Sequence, residues 1–157
     1  MSYSVYQCGS STVPFIKNPS DLDYAVFNAT EEEYKELEDK YNKDNSHIVI
    51  RFYSDECNGL CLFYGMTYYN KLIEGEDCLK EPDWWKDKNI LKECLYDSAI
   101  RTNKSSKHWY MILLSVFRLE NKLDNLSDKD KEWIQLCHDK NCPQECFDYI
   151  FNYLKQI

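Results

Sequence analysis

The sequence predicts an α+β protein: a small mixed sheet with packed helices over residues 1–58, followed by a helical region over 59–157 packed on that core. Three observations predict it. Short β-prone runs bounded by turn residues fill the first third. A capping box opens a helix between two of them. Beyond residue 60, apolar residues recur at helical spacing. With 157 residues the chain is long enough for one domain, or one domain plus a helical appendage, without a disulfide or metal staple.

The first strand is expected over 3–8, ending at Gly9-Ser10-Ser11. The turn cluster Asn18-Pro19-Ser20 leads into a second strand over 22–27. Thr30 as N-cap with Glu33 three residues on predicts a helix to about Lys43, with Tyr34, Leu37 and Tyr41 on one face. Residues 47–53 alternate Ile48, Ile50 and Phe52 against Val49, Arg51 and Tyr53, the pattern of a third strand. Downstream, helices are expected over 60–73, ending at Gly75, then 89–101, a long one over 104–126, one from Ser127 to Cys137, and a last one over 143–155. Trp84 and Trp85 read as core aromatics rather than a base-stacking platform.

Composition narrows the functional classes. The net charge of −8 argues against a nonspecific nucleic-acid coat, which needs a basic face. It leaves room for a nucleotide site, because a metal can bridge acids to phosphates. No apolar run reaches the ~20 residues of a membrane span. The first residues carry neither a basic stretch nor a long apolar one, so a cytoplasmic protein with reduced cysteines is expected. Lys outnumbers Arg 16 to 3 and Asn occurs 12 times, which reads as AT-rich coding and a viral, phage or low-GC bacterial source.

The chemistry concentrates at Cys8-Gly9-Ser10 and Ser20-Asp21-Leu22-Asp23. Asp21 and Asp23 stand two apart on a β-prone segment, so both carboxylates share a face. Two such carboxylates repel unless a cation lies between them, and Mg²⁺ takes one or two carboxylates plus phosphate oxygens. Gly9 permits close approach of a phosphate to the backbone, and Ser10 offers a hydroxyl and an N–H. The same residues also suit a polar turn and strand edge.

These motifs resemble the nucleotidyltransferases of the DNA polymerase β superfamily. There a small-residue pair follows the first strand and Asp-x-Asp stands on the next. The rest of the chain looks like a phage and bacterial branch of predicted nucleotidyltransferases, some associated with RNA repair. Tyr53-Ser54, the run from Leu72 to Gly75, a long helix near a Lys, and His138-Asp139-Lys140-Asn141 before a final amphipathic helix carry that part. The resemblance implies a minimal nucleotidyltransferase fold. It implies transfer of a nucleoside monophosphate from a nucleoside triphosphate to an acceptor hydroxyl on RNA, a nucleotide or a protein. Asp21 and Asp23 would be the catalytic ligands of Mg²⁺ or Mn²⁺, with Gly9, Ser10, Ser11, Ser20 and Arg51 around the nucleotide.

Three departures qualify it. Pro14 stands where the family has Gly. Val49 occupies the position of the third carboxylate, and Arg51 that of another frequent acid; Asp55 and Glu56 follow only past the strand. The alternative is therefore an inactive relative that binds a nucleotide or a protein partner. On it, Arg51 either faces solvent or pairs with Asp21 or Asp23 in place of a metal.

Cys137, His138, Cys142 and Cys146 are zinc-ligand types, but Cys-x₄-Cys and Cys-x₃-Cys are not the short knuckle spacing. Cys146 also shares an apolar face with Tyr149, Ile150 and Tyr153. The eight cysteines are therefore expected as mostly buried thiols without metal.

Overall fold

The structure is a computed structural model that describes residues 3–19, 22–42, 46–52, 60–77 and 81–156, the stretch 46–52 by its backbone only. The chain is α+β and forms two compact units. The first is drawn from Met1–Pro14, Asn18–Glu56 and Tyr69–Glu81; the second from Phe15–Lys17, Cys57–Tyr68 and Pro82–Ile157.

The first unit is a four-stranded mixed sheet with one helix. Its elements are β1 (Ser4–Cys8), β2 (Leu22–Phe27), α1 (Glu31–Tyr41), β3 (Ser46–Phe52) and β4 (Lys71–Gly75), in the sheet order β3-β2-β1-β4. β1 runs antiparallel to both β2 and β4, and β2 runs parallel to β3. The parallel pair needs a crossover, which α1 supplies. Strand alternation divides the side chains. Tyr3, Val5 and Val26 pack with Leu37 of α1, flanked by Tyr24, Tyr34 and Tyr41. Tyr6, Cys8, Ala25 and Phe27 form the opposite cluster, with the rings of Tyr6 and Phe27 edge to face at 5.5 Å.

α1 starts where the capping box places it. Thr30 Oγ1 accepts from Glu33 N–H at 3.1 Å, and Thr30 N–H donates to Glu33 Oε1 at 3.1 Å. Such a cap contributes about 1 kcal/mol. At its other end, Lys40 Nζ lies 2.8 Å from Glu74 Oε2, and the Tyr41 hydroxyl donates to the same carboxylate. Tyr3 OH donates to Glu74 Oε1 at 3.1 Å. Glu74 pairs with Val5 across the β1–β4 ladder, so it shares the face that α1 covers. One carboxylate thus links the edge strand, the central strand and the helix.

The expected helix over 60–73 is not formed. Two 3-10 turns, Leu60–Phe63 and Met66–Tyr69, precede β4. Gly65 between the turns lies against the backbone at Leu114 and Ser115, closer than any Cβ allows. Residues 71–75 take their ladder partners from β1 instead of from a helix. Periodicity over 60–73 could not anticipate either contact.

The second unit packs α2 (Lys88–Arg101), α4 (Asp128–His138) and α5 (Gln144–Lys155) with α3 (His108–Leu119). Every α3 residue from Trp109 to Phe117 is buried, so the helix has no solvated face there. Its buried Ser115 hydroxyl accepts from Gly65 N–H at 3.0 Å and donates to Cys61 O at 3.3 Å. Arg118 donates to Tyr64 O and to Thr67 Oγ1, and stacks 4.2 Å over the Tyr64 ring. The helix expected over 104–126 is shorter than its apolar pattern. Asn121 takes a left-handed conformation (φ 58°), and Lys122 N–H returns to Phe117 O at 2.8 Å. The Ser127–Asp130 capping box then opens α4 as expected. Among the described residues no helix is long and apolar enough to cross a membrane.

Two outcomes follow for the first unit. Gly75 has φ 84°, and a Cβ there would strike Tyr3 O. Gly75→Ala is expected to cost about 1–3 kcal/mol, read as a lower urea midpoint. Glu74 is held below the ordinary carboxylate range by its bonds with Lys40 first, then Tyr41 and Tyr3. A folded value below the unfolded one gives stability that is complete above the unfolded pKa and fades as pH falls through the folded one. Urea midpoints should therefore drop between about pH 5 and pH 3, and Glu74→Gln should flatten that slope.

Candidate functional site

The end of β1 and the start of β2 bring the first motif together. Cys8 is paired with Asp23 across the antiparallel ladder, so the next residue, Gly9, lies beside the aspartate. Gly9 has φ 82° and ψ −171°, a region that essentially only glycine occupies. A Cβ on Gly9 would collide with Asp23 Oδ2 and lie 3.1 Å from Asp23 Cβ. Glycine is required here twice, by the backbone and by the carboxylate seated over it.

Beyond Gly9 the chain folds into a 3-10 turn, Ser10–Thr12. Thr12 donates to Gly9 O from its N–H at 3.1 Å and from its hydroxyl at 2.7 Å. Gln7 Nε2 donates to Ser11 Oγ at 3.2 Å. Ser10 is 1% exposed, Thr12 is buried and Ser11 half-buried. The Ser10 hydroxyl, expected at the surface of a phosphate cradle, is packed inside the turn. Burial, and then the Asp23 charge, push the Cys8 thiol up to about 12. Cys8 stays protonated beside the aspartate and is no nucleophile at neutral pH.

On its other side Asp23 is paired with His47 of β3. Ser20 and Asp21 lie outside the described residues, as do Tyr53, Ser54, Asp55 and Glu56. Arg51 is placed by its backbone alone, paired with Val26. The unbroken alternation expected over 47–53 is interrupted. Tyr24 pairs with Ile48 and Ala25 with Ile50, so Val49 is the extra residue at a register shift. From that point the expected faces of the strand are exchanged in the ladder. The position that the resemblance assigns to a third carboxylate is thus a bulge, and Ser46–Phe52 contains no acid.

A second constellation is one that the sequence reading named as zinc-ligand types and set aside on its spacing. The Sγ atoms of Cys137, Cys142 and Cys146 all lie within 4.8 Å of one another. Cys137 lies in the last turn of α4, Cys142 in the link, and Cys146 in the first turn of α5. Cys142 donates to Pro143 O at 3.6 Å, and the neighbouring thiols of Cys137 and then Cys146 lower its pKa. The ligand types were legible in the sequence, but their convergence follows a left-handed residue at the helix end, and Lys140 (φ 65°) is no usual marker of that conformation. His138 stands apart from the three. Its Nδ1 lies 3.1 Å from Asp139 Oδ1, its ring meets Tyr110, and its Nε2 is buried without a partner among the described residues. A cavity of about 400 Å³ between α2 and α5, lined by Lys92, Tyr96 and Leu154 among others, contains none of the expected site residues.

Comparison with protein-family models, with curated proteins and with solved structures gave no match. The site therefore rests on its own geometry. Gly9→Ala should unseat the Asp23 carboxylate and cost about 1–3 kcal/mol, measured by urea unfolding. Ser11→Ala, on the same turn but half-buried, should stay within about 1 kcal/mol of the parent.

Proposed function

We propose that the first unit carries a metal-dependent nucleotidyltransferase site, and that β1, the Gly9–Ser10 turn, β2, α1 and β3 are its minimal fold. The observation that supports this reading is the seating of Asp23 against Gly9, because it joins the two separate halves of the motif in one place. Asp23 offers hard oxygen donors, the kind that Mg²⁺ and Mn²⁺ take. With Asp21 it would hold the ion, which supplies positive charge against the phosphates. The Gly9–Ser10 backbone and Ser11 would meet the triphosphate, since the Ser10 hydroxyl is buried. Ser20 and Arg51 complete the proposed set. In the transfer, an acceptor oxygen bonds to the α-phosphorus and pyrophosphate departs with the bridging oxygen. The hydroxyl proton passes to a base in solution.

A second reading has its own observation. Ser46–Phe52 supplies no carboxylate, so the third acid of the superfamily has no counterpart on β3. On that reading the same residues bind a nucleotide and release it unchanged.

The test has two measurements. Calorimetry should show a nucleoside triphosphate binding in the presence of Mg²⁺, weakened at least ~10-fold by Asp23→Asn. Incubation with α-labelled nucleotide and RNA, nucleotide or protein acceptors should then yield labelled product and pyrophosphate. Binding without product selects the second reading. Absence of metal-dependent binding to the folded chain overturns both.

A further inference from the structure

We propose that Cys137, Cys142 and Cys146 form a zinc site that joins the end of α4 to the start of α5. Buried cysteines usually act singly, as small hydrophobes. Here three thiols from three consecutive pieces of chain converge on one point, with Sγ atoms within 4.8 Å of one another. Zinc–sulfur bonds of about 2.3 Å in tetrahedral geometry place neighbouring sulfurs about 3.8 Å apart. Cys137 Sγ and Cys146 Sγ are 3.8 Å apart. A disulfide would require about 2.05 Å. The spacing is that of two ligands on one ion.

The scaffold holds this spacing with backbone bonds. Lys140 N–H donates to Cys137 O at 3.0 Å and Asn141 N–H to Leu136 O at 2.8 Å, so the chain reverses at once past the end of α4. Pro143 then caps α5, and Cys146 N–H donates to Pro143 O at 3.0 Å. Two ligands thus stand on helices and the third on the five-residue link between them, closed at both ends. Ile134 and Ile150, fully buried on the same two helices, exclude water from those helix faces. Cys142 is half-buried, so solvent reaches that ligand, and a water would complete the tetrahedron. Soft thiolates select Zn²⁺ over the Mg²⁺ of the proposed nucleotide site. On binding, each S–H proton that remains is released to solvent and a Zn–S bond takes its place.

The test uses the full chain, purified reduced and without chelator. Metal analysis should give one zinc per chain. The metal-free protein titrated with Co²⁺ should develop a thiolate-to-cobalt charge-transfer band and the visible bands of tetrahedral cobalt, ending at one equivalent. Cys142→Ser, at the half-buried position, should weaken Co²⁺ binding at least ~10-fold while circular dichroism stays that of the parent; Cys94→Ser should leave it unchanged. Because a variant can lose its fold, the parent protein supplies a second measurement. Zinc should slow alkylation of Cys142 at least ~10-fold, and a chelator should restore the rate. Absence of the cobalt band in folded, reduced protein overturns the proposal. So does a band that survives Cys142→Ser unchanged, or alkylation indifferent to zinc.

Discussion

The double pairing of β1 is the constraint on which the first unit depends. As the one strand with antiparallel partners on both sides, it fixes the register of β2 and of β4. The β2 register sets Cys8 opposite Asp23, which brings the aspartate over Gly9. The β4 register sets Val5 opposite Glu74, which carries that carboxylate to the end of α1. A slip of one residue in either ladder would turn that strand's carboxylate to the other face of the sheet.

In the second unit a comparable role falls to α3. A helix buried on every side needs partners for its polar groups, and two of them hold the same segment. Ser115 binds Gly65 and Cys61, and Arg118 binds Tyr64 and Thr67. Two 3-10 turns replace a regular helix because these bonds hold the backbone at a distance where only Gly65 fits. Leaving such groups unpaired would cost about 1–3 kcal/mol each.

The two candidate sites differ in the chemistry of their donors. Asp23 is half-buried and offers hard oxygens; the three cysteines offer soft sulfur in a mostly buried position. Oxygen donors suit hard ions and thiolates soft ones. The aspartate site draws its precision from a sheet register, and the thiol site from a helix end reversed by a left-handed residue.

The sequence by itself determined the α+β class, the limits of β2, and the starts of α1 and α4. These rest on local physics: alternation of apolar residues, and Thr30 and Ser127 each with an acid three positions on. It also singled out Gly9 and Asp23 and predicted strands on both sides of the turn. What only the tertiary structure decided has a common cause, contact between residues distant in the chain. The segment 71–75 is a strand because β1 has an unpaired edge to offer. The run after Leu119 leaves the helix because Asn121 reverses it toward Phe117. Val49 slips out of register because the β2–β3 ladder absorbs an extra residue, a defect invisible in an alternating pattern. The cysteines meet because Lys140 takes a conformation that its residue type does not announce. Helix and strand periodicity are read within a few residues, whereas a ladder partner or a third ligand is set by where the chain returns.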